Sequence, residues 1–375
     1  LVEDFLAITQ KQETNLEMNR RFATLALTAA LLLACAAFAQ DSQSVPRFVT
    51  LPQHPQVNVP SPASNLAQWN GSFKDKTGVT RHFTMVGTDP SKSNSTTTVP
   101  LFVIPIKIVF DKNHGNHTFD PNKNKFQGQT VSVTKTILNS PIMKSNVDFV
   151  QGGTDLGKTQ YIDAFQRGNF WNKNVKVNTN YHVLLGKPTV LAEQTINCTS
   201  SDCAVGSEFG HTVGLMDINH FDGIVQGYLS KFSSQIQPNT LPLFLIYDTY
   251  LTEGGCCIGG YHSANGGQPG GQTYSVSSTV DQGGGTFSQD TAALSHEIGE
   301  WMDDPFVDNV VGCQDNSILE VGDPLVLDDH PYKVGSFTYH LQDMVWIGYF
   351  GAPAKTSLHS WLSFQNDKKN LCPGQ

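Results

Sequence analysis

The chain is poor in charge. Charged residues make up 15% of its 375 positions, and 24 basic against 33 acidic side chains leave a formal net charge of −9. Downstream of the N-terminus no basic stripe appears, so nucleic acid is excluded as an expected partner. No internal repeat stands out, which removes solenoids and propellers. No apolar run is long enough for a membrane-spanning helix; the nearest, Ala23 to Ala37, is short and ends in small residues. Hydrophobic residues still reach 39%, with 33 glycines, so the composition is that of a folded, loop-rich protein and not a disordered one. The length allows one large domain or two modest ones.

The N-terminus reads as a targeting segment. Met18-Asn19-Arg20-Arg21 supplies a positive start, Ala23 to Ala37 an apolar stretch, and Ala37-Phe38-Ala39 a small-x-small cleavage site before Gln40. Residues 1–39 are therefore expected to be a leader, with 1–17 an over-extended start and 18–39 the signal peptide. The competing pattern, Leu32-Leu33-Ala34-Cys35, resembles a lipoprotein signal that would lipidate Cys35. Simple secretion, or release to the periplasm, is the better match. Removing the leader leaves Cys198, Cys203, Cys256, Cys257, Cys313 and Cys372, an even set suited to disulfides in an oxidising compartment. Cys198 and Cys203 are close enough to close a small loop. Cys313 and Cys372 can pin the C-terminal tail. Cys256 and Cys257 either bond each other or take distant partners. A thiolate metal site is the weaker alternative.

Residues 40–99 are polar and Pro/Ser/Thr-rich, and are expected to be mobile apart from one hairpin near Thr80 to Val86. The folded domain is expected over 100–375. Pro100 to Phe110 is the first strong strand, with Pro105 placing it at an edge or a bulge. Asp111 to Gly128 reads as an ordinary polar loop; its acids fit no standard calcium spacing. Helices are predicted at Val131 to Met143, Gly157 to Trp171 and Phe221 to Phe232. Strands are predicted at Tyr181 to Gly186, Thr189 to Ala192, Leu241 to Tyr250 and Thr273 to Val280, and a strand or loop at His211 to Asp217. Phe337 to Trp346 and Leu358 to Phe364 read as closing strands. The fold class is α+β, with a mixed sheet before one critical helix and a loop-rich C-terminal part.

That helix is Ala292 to Asp304. Leu294, Ile298 and Trp301 recur at helical spacing, Ser288 or Asp290 is placed to cap it, and Pro305 stops it. His296 and Glu300 are four apart and project from one face, with Glu297 between them in sequence. This is the H-E-x-x-H pattern with glutamate for the second histidine. In the standard form two helix residues hold zinc and the glutamate after the first is the general base. A carboxylate is a legitimate zinc ligand, though it makes bound water a weaker acid and lets manganese or calcium compete. An acidic helix face is ordinarily just solvated. Here four acids and one histidine cluster with no lysine or arginine among them, and they repel unless a cation sits between them.

Leu294-Ser295-His296-Glu297-Ile298-Gly299-Glu300-Trp301, followed by Asp304-Pro305 and by Glu320-Val321-Gly322-Asp323, resembles a group of secreted bacterial zincin-type proteins. The resemblance implies a zincin-like, metallopeptidase-type fold. Glu320 with Asp323 is similar to the Glu-x-x-x-Asp layout of glutamate-type zincins, one residue shorter, and makes Glu320 the expected third ligand beside His296 and Glu300. Asp304, Asp323 and His262 are the alternatives. Glu297 is the expected base, and Tyr261, His262, Tyr339 or His340 an expected oxyanion donor. The expected function is a monomeric, secreted, zinc-dependent peptidase acting on peptides or proteins. The alternative is a non-catalytic secreted binding or surface protein with a structural metal. The leader pattern makes a mature chain beginning near Gln40 the expected outcome of N-terminal sequencing of exported protein; retention of Leu1 would contradict it.

Overall fold

The apolar run Leu101–Phe110 forms strand β1, buried on both faces, in a mixed seven-stranded sheet. The other strands are β2 (His117–Phe119), β3 (Thr189–Val190), β4 (Gln194–Cys198), β5 (Leu241–Tyr247), β6 (Gly260–Asn265) and β7 (Gln272–Thr279). Their order is β4-β1-β5-β7-β6, with β2 and β3 also pairing with β1. The links β4–β1, β1–β5 and β5–β7 are parallel, and β6 closes one side antiparallel to β7. A parallel centre explains why β1 and β5 read as unbroken apolar runs, since both faces must be covered. A computed structural model of the chain describes residues 47–55, 64–281, 287–314 and 317–375, all within one compact unit, Ser44–Gln375. The expected leader, 1–39, lies outside the described residues.

Four α-helices accompany the sheet among the described residues: α1 (Val133–Ile137), α2 (Tyr161–Asn169), α3 (Ile218–Lys231) and α4 (Ala292–Asp303). Successive side chains of a strand face opposite ways, and β7 uses this to hold a helix on each face. Thr273 accepts a 2.9 Å hydrogen bond from the Trp301 indole of α4. Its neighbour Tyr274 turns the other way and donates to Asp222 of α3 at 2.7 Å. Helix α4 is buried along its whole length, with Leu294, Ile298 and Trp301 at 0% exposure. Each such side chain contributes about 1.5–3 kcal/mol of transfer free energy.

Several expectations need correction. Pro105 lies inside the sheet, opposite Leu245 of β5. Its missing N–H falls on the other flank, where β3 ends its pairing at Val103 and β4 begins at Ile106, so no ladder bond is lost there. The helix expected over Val131 to Met143 shrinks to α1. The one over Gly157 to Trp171 begins only at Tyr161, after a strand at Thr154–Thr159. Leu358 to Phe364 is not a strand: His359 and Ser360 have φ of 52° and 59°, which no strand accommodates. The 64–99 stretch carries a full hairpin, Gln68–Lys74 with Thr80–Val86, and a strand at Thr96–Val99. Asp111 and Asp120 bond the backbone N–H groups of Asn113 and Asn122 as turn formers, as the loop composition suggests. Neither Ser288 nor Asp290 is the N-cap of α4. Thr291 occupies that position, and Asp290 instead ties the helix start to His340.

Cys198–Cys203, Cys256–Cys257 and Cys313–Cys372 are each disulfide-bonded. No helix among the described residues is long and apolar enough to cross a membrane. Cys313 and Cys372 are separated by 59 residues, and chain entropy puts a loop of that size at about 4 kcal/mol. Replacing both by alanine is expected to cost about that much in denaturant unfolding, while thiol titration of the unfolded wild type from Gln40 onward finds no free thiol.

Candidate metal centre

Four elements converge on one end of α4. The helix contributes His296, Glu297 and Glu300. Strand β6 contributes His262, which alternates with Tyr261 and so lies on the α4 side of the sheet. The loop leading into a short 3-10 turn at Asp323–Leu325 contributes Glu320 and Asp323. Strand β8 (Phe337–Gln342) contributes Gln342. All these side chains except that of Asp323 are buried; Asp323 keeps 37% of its side chain exposed at the rim. Gly322 must be glycine, because a Cβ there would sit 2.3 Å from His296 Nδ1.

Two groups of three ligand-type residues form here, His296–Glu300–Asp323 and His262–Glu297–Glu300, each with its ligand atoms within 4.8 Å of one another. His296 Nε2 lies 3.0 Å from Glu300 Oε2 and 3.7 Å from Asp323 Oδ1. His262 Nδ1 lies 3.6 Å from Glu297 Oε2 and 3.7 Å from Glu300 Oε2. The second ring nitrogens fix the tautomers. Gln342 donates its amide to the Gly322 carbonyl, so its oxygen, 3.1 Å from His296 Nδ1, accepts and the proton sits on Nδ1. His262 Nε2 is 3.1 Å from the Asp304 carbonyl and carries its own proton there. Both remaining nitrogens, His296 Nε2 and His262 Nδ1, therefore present lone pairs to carboxylates. His296 Nε2 and both Glu297 oxygens have no hydrogen-bond partner despite complete burial. Acceptors facing acceptors in a dry interior are costly unless protons or a cation lie between them.

The electrostatics agree. Burial first, and neighbouring acids second, hold Glu297 and Glu300 well above the usual carboxylate range; for Glu300 the neighbour is Asp323. Glu320 and Asp304 are raised for the same reasons. Asp323 is pushed up to about 7, again by desolvation first. Burial lowers His262 and His296 to about 4, so both rings are neutral at pH 7 and free to ligate. The donor set of neutral imidazole and carboxylate oxygen suits zinc, with manganese or calcium as competitors. It thus fits a divalent cation.

His296, Glu300 and Glu297 are brought together as the helical spacing requires. Asp323, and not Glu320, completes the group with His296 and Glu300. Glu320 sits beside Glu300 and accepts a 2.7 Å hydrogen bond from the Thr50 hydroxyl. Asp304 takes the backbone N–H groups of Asp308 and Asn309 and caps the turn after the helix. Of the expected oxyanion donors, Tyr261 points to Asp222 on the opposite face, Tyr339 donates to Thr136, and His340 is tied to Asp290. Only His262 is at the centre. Sequence reasoning missed Gln342, Phe48 and Thr50. Gln342 carries no local signal, and the other two lie in a stretch whose composition suggests no structure. A further ligand-type group among the described residues, Glu208 with Cys256 and Cys257, has its sulfurs bonded to each other. Known protein families, curated proteins and solved structures were all compared with this chain, and none of the three gives a match.

The raised acids carry a stability consequence. Asp303 titrates at about 8, Asp248 and Asp329 at about 7 and Asp343 at about 6, all lifted by burial. An unfolded aspartate titrates at about 3.9. Between about pH 4 and 8 the native state thus holds protons that the unfolded state has lost, and stability falls as pH rises. In chelator, the melting temperature is expected to drop from pH 5 to pH 8. Adding zinc at pH 8 should recover only part of the loss, because metal and protons compete at Glu300 and Asp323, whereas Asp303, Asp248, Asp329 and Asp343 lie outside the ligand group. A flat or rising melting temperature in chelator would contradict this account.

Proposed function

We propose that the chain is a secreted, zincin-type zinc peptidase. The observation that carries this reading is the buried facing of two imidazole lone pairs and the unpartnered Glu297 carboxylate onto Glu300. The architecture supports it: an antiparallel strand at the end of the sheet, β6, lies beside the ligand-bearing helix, where an extended peptide would pair in place of the chain's own residues 47–54. His296, Glu300 and Asp323 would hold the ion and leave Glu297 outside the ligand set. Zinc there would polarise the scissile carbonyl and acidify the attacking water. Glu297 would take the proton from that water and deliver it to the leaving amine. His262, neutral with its Nε2 proton committed to Asp304, offers an acceptor to the centre and positions the cluster instead of donating to an oxyanion.

The second reading is a secreted binding protein with a structural cation. It is favoured by the burial of His296, Glu297, Glu300 and His262, which leaves only the Asp323 rim of the centre exposed. The two readings separate on one residue. His296→Ala is expected to abolish metal binding, and Asp323→Ala to weaken it at least tenfold, by metal analysis after dialysis against zinc. Glu320→Ala should have the smaller effect. Glu297→Gln should keep the metal and lower peptide hydrolysis by two orders of magnitude or more, about the contribution of a general base. Wild type without metal would sink both readings. A metal-loaded wild type no more active than Glu297→Gln would leave the structural cation.

A further inference from the structure

The edge of β6 is already occupied by the chain itself. Residues 47–54 run parallel to it, with Arg47 opposite Ile258 and His54 opposite Asn265. At one end Arg47 N–H donates to the Cys257 carbonyl (3.1 Å) and Gly259 N–H to the Arg47 carbonyl (3.2 Å). At the other, His54 N–H donates to the Ala264 carbonyl and Gly266 N–H to the His54 carbonyl, both at 2.9 Å. Between them the Ser263 hydroxyl donates to the Leu51 carbonyl at 3.1 Å. Two side chains of this segment, two residues apart as on one face of an extended peptide, reach the metal centre, while His54 at the far end pairs with Asp222 of α3 at 2.7 Å. Phe48 stacks on His296, ring centroids 3.5 Å apart and planes at 23°. It fills an apolar recess with Val213, Tyr250, Val280, Phe287 and Ala293, and is itself 7% exposed. Two residues on, Thr50 reaches Glu320. The burial of His296 is thus partly the work of the chain's own N-terminal part.

We propose that the outer edge of β6, with the recess that holds Phe48, is a peptide-binding groove selective for an extended segment bearing a bulky aromatic side chain, and that residues 47–54 occupy it in cis and compete with outside peptides. Backbone pairing along β6 supplies affinity without regard to sequence, and the recess supplies selectivity. An aromatic ring is favoured there because it stacks on a neutral imidazole and meets Phe287 edge-on, centroids 5.1 Å apart. The hydroxyl of a residue two positions later matches Glu320. The inference rests on the proposed peptidase only for the fate of a bound peptide; binding itself needs no catalysis.

The test uses the full chain in a Glu297→Gln background, with a recognition sequence for a specific protease placed within residues 56–63. After cleavage and removal of the released N-terminal piece, binding of a fluorescent peptide, Arg-Phe-Val-Thr-Leu-Pro-Gln-His, is followed by anisotropy. The cleaved protein should bind it, the uncleaved protein at least tenfold more weakly, and a peptide with alanine for phenylalanine at least tenfold more weakly than the parent. Equal binding of the two peptides, or of the cut and uncut proteins, would overturn the proposal. If the cut protein loses its fold, hydrogen exchange in the intact Phe48→Ala chain decides. The Gly259 and Gly266 amides should then exchange at least tenfold faster while those of β5 hold, and unchanged exchange would overturn the proposal. Peptide binding without hydrolysis by the cut wild type would remove the peptidase and leave the groove; hydrolysis without selectivity for the aromatic peptide would do the reverse.

Discussion

The constraint on which this structure depends is the burial of acids and neutral imidazoles with no cationic side chain to balance them. No lysine or arginine occurs between Lys231 and Lys333, the interval that holds β6, β7, α4 and the Glu320–Asp323 loop. A protein that needed these acids only for structure could have paired them with arginine, whose fork satisfies a carboxylate outright. Instead the histidine protons are turned outward, to Gln342 and the Asp304 carbonyl, and the lone pairs inward. That arrangement leaves a negative concavity which only protons or a cation can neutralise, so the charge of the centre is set by what it binds.

The surrounding fold is arranged to hold this geometry at close quarters. Gly299 lies in the middle of α4, where glycine costs about 1 kcal/mol relative to alanine. A Cβ there would meet Met344 Sδ at 2.2 Å, so the cost is offset by seating Met344 directly against the helix. Gly322 does the same for the His296 ring. Met344 follows two residues after Gln342, so one stretch of chain both orients the His296 imidazole and supports the helix beneath it. Because α4 is buried on every side, a shift in any neighbour would move the ligands, and the donors are therefore held before any ion arrives.

The helix and its charged face were legible in the sequence because both follow from local periodicity: His296, Glu297 and Glu300 need only 3.6 residues per turn to take their places, and Asp304-Pro305 ends the helix by steric exclusion. The strands β1 and β5 were legible because a doubly covered strand must be apolar throughout, and β7, which reads Gln-Thr-Tyr-Ser-Val-Ser-Ser-Thr, only because its residues alternate. Less legible was what distant partners decide, the Cys313–Cys372 disulfide excepted. Pro105 reads as an edge residue until the handover from β3 to β4 is known. Glu320 and Asp323 are three apart on one loop, and composition has no means of telling which faces His296; the backbone turn does that. Of four aromatic or imidazole donors proposed from sequence, three lie elsewhere because strand alternation sends Tyr261 to the α3 face and Asp290 holds His340 at the far end of the helix.

The stretch 47–55 shows the same principle in its strongest form. By composition it belongs to a polar leader with no reason to order, and on its own it would not offset the conformational entropy lost on fixing it. It is ordered because β6 is an edge. An edge strand exposes a row of unpaired N–H and C=O groups and recruits whatever extended chain is at hand. The first candidate is a segment tethered to the same molecule, whose effective concentration outcompetes a free peptide of equal affinity. Phe48 then converts a generic pairing into a specific one by filling the recess beside His296. Edge protection and site occlusion are consequently one structural feature. The strand that would be an aggregation hazard when bare is the one beside the ligand-bearing helix, and one segment of the same chain covers both.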